Sequence, residues 1–235
     1  MVHQRDIDMA DADEKKIPID LTNINEKIYN LIKGRIVHFE YPPGFQINIR
    51  RLQDELGVSN SPIKDALSRL AGEGLVEITS RKGTFVKDIS ERDLYEIEEV
   101  RIILETSAAD IIAKTITDEQ LDRLEALYKE TLIPEDEFEY SKFMEKDSRF
   151  HLEIIKMTNN QKLVDVYQQL NAHVHITRFQ YARNRKKPLP WTHQDHLDIL
   201  KSLKMREPEK VKKAIRGHRV KARDAFLETI KKKSQ

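Results

Sequence analysis

The chain contains no cysteine among its 235 residues, which excludes a disulfide framework, a thiolate zinc site and a cysteine nucleophile. It also lacks any apolar run near the ~18–20 residues that a membrane helix requires, so we expect no membrane partner. The first residues, MVHQRDIDMADADEKK, are acidic and lack the apolar segment of a signal peptide. We therefore expect a cytoplasmic protein in which residues 1–20 form a disordered leader.

Glycine is scarce and unevenly placed, since six of the seven glycines lie before residue 84. This divides the chain into a turn-rich part, residues 21–88, and a nearly glycine-free part, residues 89–235. The net charge of +1 is also uneven, because residues 89–170 carry −10 and residues 171–235 carry +12. Whole-chain charge is therefore a poor guide to nucleic-acid binding, and the evidence must come from local motifs.

Residues 21–88 predict three helices followed by a β-hairpin. The helices are expected over residues 24–38, over 50–56 with Asn48 as N-cap, and around Pro62 with Ser59 or Ser61 as cap; the strands are expected over 75–79 and 84–86. This order is that of a winged helix-turn-helix, whose third helix fits the major groove of B-DNA. The predicted DNA contacts are Arg50 for a phosphate, Asn60, Ser61 and Lys64 on the third helix, and Arg81, Lys82 and Gly83 at the wing tip. The same geometry also serves protein–protein contacts, and the pattern alone leaves that alternative open.

Residues 89–235 predict an all-α bundle of about six helices, so the expected fold class is mainly α. The helices are expected near residues 91–114, 118–131, 136–157, 160–183, 191–204 and 208–232. Ser90 with Asp93, and Thr117 with Gln120, have the spacing of helix-starting capping boxes.

Four metal-competent side chains fall on the inward faces of three of these helices. Asp147 and His151 are four residues apart and share one helix face, while His196 and His218 lie on the apolar stripes of their own helices. Three imidazoles and one carboxylate suit a divalent ion such as zinc, nickel or manganese. Ordinary core histidines, hydrogen-bonded to protein groups, are the alternative.

Arg101 and Arg178 also lie on or near apolar stripes, where an unpaired guanidinium is costly. One interpretation is a structural ion pair with an acidic neighbour. The other is a clamp for a carboxylate effector, which uses the two-pronged geometry of the guanidinium.

Residues 45–86 resemble the N-terminal domain of the GntR family of bacterial transcription regulators, through the blocks LGVS, SPIKDAL, RLAGEGLV and RKGTFV in order and spacing. Such regulators typically have arginine where this chain has Asn60 and Lys64. Asparagine favours adenine and arginine favours guanine. The resemblance therefore implies DNA binding, but not recognition of the base sequence that is usual for operators of this family.

Residues 91–235 resemble the FCD effector domain of the FadR subfamily, in EVRIILETSAAD, KDSRFHLEIIKMTNNQKL, HLDIL and IRGH. Six helices fit its shorter, VanR-like branch. The resemblance implies a divalent metal on Asp147, His151, His196 and His218, and a small organic acid beside it, which favours the clamp role of Arg101 and, less strongly, of Arg178.

The expected function is a homodimeric, ligand-responsive transcription regulator that binds a pseudo-palindromic DNA operator. Two alternatives stay open: a DNA-binding protein with a purely structural metal and no effector, and a metalloenzyme attached to a winged helix domain. For the four inward side chains themselves, the alternative is that they bind no ion, because inward histidines also serve as core residues. We expect no enzymatic activity.

Overall fold

The computed structural model describes residues 23–182 and 186–233, and the expected leader, residues 1–20, lies outside this range. The chain divides into two compact units. One contains Gly44–Lys87 together with the described residues before Ile36, and the other contains Ile36–Pro43 and the described residues from Asp88 onward.

The first unit is a winged helix-turn-helix. Its elements are α1 (Ile24–Val37), β1 (Gln46–Ile47), α2 (Ile49–Leu56), α3 (Asn60–Gly72), β2 (Val76–Thr79) and β3 (Gly83–Val86). As predicted, the Asn48 side chain caps α2 by accepting a hydrogen bond from the backbone N–H of Arg51 at 3.0 Å. Gly57 ends α2 in the left-handed conformation, with φ of 65°, which glycine adopts without steric cost.

The wing is a three-stranded antiparallel sheet in the order β1-β3-β2. Val76 pairs with Val86 and Thr79 pairs with Gly83, as the predicted hairpin requires. The third strand, β1, was not predicted, because two residues are too few to show the alternation of apolar and polar side chains that indicates a strand. It pairs Gln46 with Phe85.

The second unit contains six α-helices in its described residues, as predicted. They are α4 (Glu91–Thr115), α5 (Asp118–Thr131), α6 (Tyr140–Lys156), α7 (Gln161–Ala182), α8 (Thr192–Lys204) and α9 (Pro208–Lys233). Both predicted capping boxes are present, at Ser90 with Asp93 and at Thr117 with Gln120.

The start of α6 differs from the prediction of residue 136. Glu135–Glu137 form a separate 3-10 turn after Pro134, and Phe138 is extended. The Phe138 ring packs against Phe143, with ring centroids 5.6 Å apart, so the extended Phe138 contacts the first turn of α6.

A hydrophobic core joins α6, α8 and α9 with α4 and α5 and fixes the faces that these helices turn inward. Its fully buried members include Phe150, Ile154, Ile199, Leu203 and Ile215. Asp147, His151, His196 and His218 lie among these positions, so packing of the core brings the four side chains together. Within the described residues, no helix is both long enough and apolar enough to cross a membrane.

Candidate metal centre and nucleic-acid interface

The recognition surface of the first unit is set by the burial of α3. Ile63, Ala66, Leu67 and Leu70 bury one side of this helix. The predicted DNA contacts Asn60, Ser61 and Lys64 are all exposed on its first two turns, and Arg50 is exposed at the start of α2. All four side chains are therefore available to an external partner.

The wing tip depends on Gly83. Arg81 and Lys82 are exposed, whereas Gly83 has a φ of 124°, and a Cβ atom there would lie 2.7 Å from Nε2 of Gln46. That same Nε2 donates a hydrogen bond to the backbone carbonyl of Lys82 at 3.1 Å. Glycine is favoured here because its positive φ is a conformation that other residues rarely adopt, whereas the Gln46 amide is the end of a flexible side chain and can move aside.

The structure brings together the four predicted metal ligands. Asp147 and His151 come from α6, His196 from α8 and His218 from α9, and all four are buried. One potential ligand atom from each residue lies within 4.8 Å of the others.

Two distances between these atoms match those around one tetrahedral metal ion, and a third is longer. His151 Nε2 lies 3.1 Å from His218 Nε2, His196 Nε2 lies 3.3 Å from Asp147 Oδ1, and His151 Nε2 lies 4.0 Å from Asp147 Oδ1. Two ligands bound tetrahedrally at ~2.0–2.1 Å from zinc are about 3.3 Å apart. The set therefore fits a metal with little movement.

Two buried carboxylates lie behind two of the histidines. Glu105 Oε2 is 3.0 Å from Nδ1 of His151, and Asp195 Oδ2 is 3.6 Å from Nδ1 of His218. Nδ1 of His151, His196 and His218 makes no hydrogen bond to the described residues, so the two carboxylates approach their rings without completing one. Metal-bound histidines commonly donate their second ring N–H to a carboxylate, so this arrangement also fits a metal site.

The electrostatics keep three of the predicted ligands, Asp147, His151 and His218, in their metal-binding forms. Burial lowers the pKa of His218 to about 3 and also lowers the pKa of His151, so both imidazoles are neutral at pH 7. Burial alone would raise the pKa of Asp147, but the His196 hydrogen bond and the Arg178 charge outweigh it and hold that pKa well below its ordinary value. Neutral imidazoles and an ionised carboxylate are the forms that bind metal.

Arg178 lies directly beside the four-residue set. Its Nη1 donates a hydrogen bond to Asp147 Oδ2 at 2.9 Å, while its Nε has no hydrogen-bond partner in the described part of the chain. A cavity adjoins both side chains, with about 20 Å³ of space for the centres of water-sized molecules, which is room for one or two waters. It is lined by Tyr140, Phe143, Asp147, Arg178, Pro188, Leu189, Trp191, Thr192, His218, Ala222 and Phe226.

Arg101 has different surroundings. It is 1% exposed, its Nη1 donates to Glu98 at 3.3 Å, and its Nη2 donates to the Tyr167 hydroxyl at 2.7 Å. It is not among the residues that line the cavity beside Asp147. This geometry supports the ion-pair interpretation of Arg101 and gives no support to its predicted contact with an effector.

Glu105, Asp195 and Arg219 belong to the surroundings of this site and were missed by the sequence analysis. Asp195 directly precedes the predicted ligand His196, and Arg219 directly follows the predicted ligand His218. Glu105 is four residues after Arg101, which was a detectable signal, since an arginine on a buried helix stripe needs a carboxylate at this spacing. The histidine that Glu105 faces could not be predicted, because that contact depends on how α4 packs against α6.

Comparison with known proteins finds a family match for each of the two units. The chain matches the family described as "Bacterial regulatory proteins, gntR family" over residues 24–86 and the FCD domain over residues 96–221. The Nta operon transcriptional regulator of Aminobacter aminovorans is 26% identical over 198 residues, which cover 83% of this chain and 90% of that protein. The HTH-type transcriptional repressor RspR of Escherichia coli (strain K12) is 27% identical over 195 residues, which cover 83% of this chain and 85% of that protein.

The solved structure of E. coli McbR/YncC has a TM-score of 0.77 and 18% sequence identity, and covers 89% of this chain and 100% of that chain. At this identity the likeness shows a shared fold. The FCD match alone covers more than half of the sequence, and the relatives that span both units are named as transcription regulators. The chain therefore belongs to the GntR family of bacterial regulatory proteins and is a DNA-binding transcription regulator with an FCD effector domain, not an enzyme.

Proposed function

We propose that this regulator holds a divalent metal ion on Asp147, His151, His196 and His218 and uses it to sense a small organic acid. The single observation that carries the proposal is the convergence of four buried ligand atoms within 4.8 Å. Two nitrogens or oxygens at 3.1–3.3 Å inside a protein core are stabilised when they share a cation. The three imidazoles and one carboxylate suit zinc, nickel or manganese.

The effector in this proposal is a small carboxylate that binds beside Asp147, where the cavity of about 20 Å³ has to widen to admit anything larger than one or two waters. Arg178 offers the unpartnered Nε and a planar guanidinium, which binds carboxylates through two parallel hydrogen bonds. The metal would polarise the bound carboxylate as a Lewis acid. Arg101 in this proposal stabilises the core and does not touch the effector.

The DNA partner in this proposal is a pseudo-palindromic double-stranded operator, bound by a homodimer in the cytoplasm. Asn60, Ser61 and Lys64 would read base edges in the major groove, while Arg50, Arg81 and Lys82 would contact phosphates. Their common exposure supports this assignment. A two-fold dimer binds two half-sites of opposite orientation, and an effector alters transcription only if it favours one of two states with different operator affinity.

The proposal is tested by mass-spectrometric metal analysis of the purified chain, followed by thermal melts with and without chelator. A panel of small carboxylic acids is then added to the metal-loaded protein. We expect near-stoichiometric metal, a lower Tm after chelation, and a higher Tm with at least one acid, which then alters operator binding. Absence of metal would refute the metal site, and metal without any acid response would leave it structural.

Arg178→Lys separates effector binding from metal binding. The variant keeps the positive charge beside Asp147 but loses the planar two-pronged geometry. We expect it to retain metal and to lose the acid-induced rise in Tm. Arg149→Lys, at an exposed position of the same ligand-bearing helix α6, is the matched control and should retain both properties. An unchanged acid response in Arg178→Lys would refute the clamp.

A further inference from the structure

A buried network of charges lies directly behind His151. Its members are Glu98, Arg101 and Glu105 on α4, Tyr167 on α7 and Arg219 on α9, and every one of them is at most 1% exposed. The Tyr167 hydroxyl donates to Glu105 Oε1 at 2.8 Å, and Arg219 Nε lies 3.4 Å from the same oxygen. Arg101 Nη2 lies 3.5 Å from it as well, so Glu105 is held from one side by an uncharged donor and two arginines.

The other oxygen of Glu105 faces the metal centre. Oε2 lies 3.0 Å from Nδ1 of His151; this close contact falls short of hydrogen-bond geometry, and neither atom makes a hydrogen bond to any described residue. Nε2, on the opposite side of the same ring, is the nitrogen that approaches His218 and Asp147. An acceptor at Nδ1 places the ring proton there, which leaves the lone pair on Nε2 for a metal.

The three histidines differ in this respect. His151 has a carboxylate at 3.0 Å that is itself fixed by the network. His218 has Asp195 at 3.6 Å, and Asp195 is held at 2.8 Å by the half-exposed Lys221. Nδ1 of all three histidines lacks a hydrogen bond to the described residues, so the distance to a carboxylate is what distinguishes them. The strongest control of ring orientation therefore lies at His151.

We propose that Glu105 is the positioning residue of the metal centre, fixing the tautomer and the orientation of His151, and that Tyr167 and Arg219 hold Glu105 in place. This inference rests on the proposed metal function of the four ligands. It adds a physical link from the metal to α4, α7 and α9, because the residues that hold Glu105 belong to these helices and Arg219 directly follows the ligand His218.

The test compares Glu105→Gln with Glu98→Gln in the full-length chain. Both substitutions remove one buried carboxylate from the same network, but only Glu105 contacts His151. Zinc affinity is measured by competition with a chromophoric chelator, on protein shown to be folded by circular dichroism. We expect Glu105→Gln to weaken zinc binding about 10- to 100-fold and Glu98→Gln to change it less than about 3-fold, even if both lower the Tm equally.

The visible absorption of the cobalt-loaded protein gives a readout that general destabilisation does not move. We expect the cobalt bands to shift in Glu105→Gln and to stay at the parent wavelengths in Glu98→Gln. Equal weakening by both variants, or unchanged affinity and unchanged bands in Glu105→Gln, would overturn the positioning role while the metal site stands. A parent chain that bound neither zinc nor cobalt would overturn the proposed function and this inference with it.

Tyr167→Phe provides a milder variant, which keeps the aromatic packing and removes only the hydroxyl that donates to Glu105. We expect weaker zinc binding by several-fold, in the direction of Glu105→Gln. Tyr128→Phe, in the core formed with α8 and α9, is the matched control and should bind zinc as the parent does. Parent-like zinc affinity in Tyr167→Phe would contradict the role assigned to its hydroxyl.

Discussion

Replacing His196 by alanine should remove most of the metal-dependent stability of the protein. His196 is fully buried, its Nε2 lies 3.3 Å from Asp147 Oδ1, and its ring stacks on Phe150 with centroids 4.6 Å apart. The substitution thus deletes one of four converging ligand atoms and leaves the backbone of α8 in place. Its effect on metal binding and its effect on packing have different magnitudes and can be measured separately.

The magnitude follows from the four-ligand geometry. Zinc binding to a complete structural site contributes about 10–16 kcal/mol, so one of four ligands accounts for about 3 kcal/mol, or more than a hundredfold in Kd. A metal present at about 1,000 times its Kd stabilises the folded state by about 4 kcal/mol, and at about 10 times its Kd by only about 1.4 kcal/mol. The difference corresponds to about 5–10 °C in Tm for a domain of this size.

The assay is the Tm difference between metal-loaded and chelated protein, measured for the parent and for His196→Ala. Because each variant is compared with its own chelated form, the cost of the new cavity cancels. Metal content after dialysis is measured in parallel by mass spectrometry. His193→Ala, on the same helix but hydrogen-bonded to the Thr131 carbonyl at 3.1 Å, should behave as the parent. Full metal occupancy and an unchanged chelator effect in His196→Ala would refute the ligand set.

Three further predictions concern the DNA-binding surface, the wing and the response to acid. Lys64→Ala should weaken operator binding without loss of metal, as measured by a fluorescence titration with labelled operator DNA. The control variant Lys129→Ala should keep the affinity of the parent. Equal operator affinities of Lys64→Ala and the parent would contradict the assignment of α3 to DNA recognition. Gly83→Ala should lower the free energy of unfolding by about 1–3 kcal/mol because of the positive φ at this position. Gly34→Ala, inside α1, should leave that free energy unchanged or raise it in denaturant titrations. Similar decreases in both variants would argue against backbone strain in the wing. Burial lowers the pKa of His175 to about 4, so the unfolded state binds more protons below pH ~6.5 and stability falls as pH drops from there toward pH 4. Chelated parent protein should therefore lose about 2 kcal/mol more than His175→Gln between pH 8 and pH 5, and parallel pH profiles would contradict this titration.

The parts of the fold that the sequence predicted correctly are those set by local signals. Capping by Asn48, Ser90 and Thr117 depends on residues within three positions, so these three helix starts could be predicted without knowledge of any tertiary contact. The convergence of the four ligands was also predictable in outline. Asp147 and His151 must share a helix face, and His196 and His218 lie among apolar residues that must turn toward the same core.

The parts that were not predictable depend on contacts between helices. Arg101 and Arg178 have the same local pattern, an arginine on a mostly apolar stripe, but their partners come from different helices. Arg178 meets Asp147 on α6, whereas Arg101 meets Tyr167 on α7 and both Glu98 and Glu105 on its own helix. The contact of Glu105 with His151 likewise depends on the rotation of α4 about its axis, which no short-range pattern encodes.

The network of Glu98, Arg101, Glu105 and Arg219 limits how this core can change by mutation. Its two negative and two positive side chains are at most 2% exposed, and their charges cancel. A single neutral replacement leaves one net charge in a dry interior, at a cost of about 3–5 kcal/mol, whereas joint replacement of opposite charges by apolar residues of similar volume is often neutral. Single steps away from the present residues therefore pass through a less stable protein, and these four positions are expected to change in pairs of opposite charge.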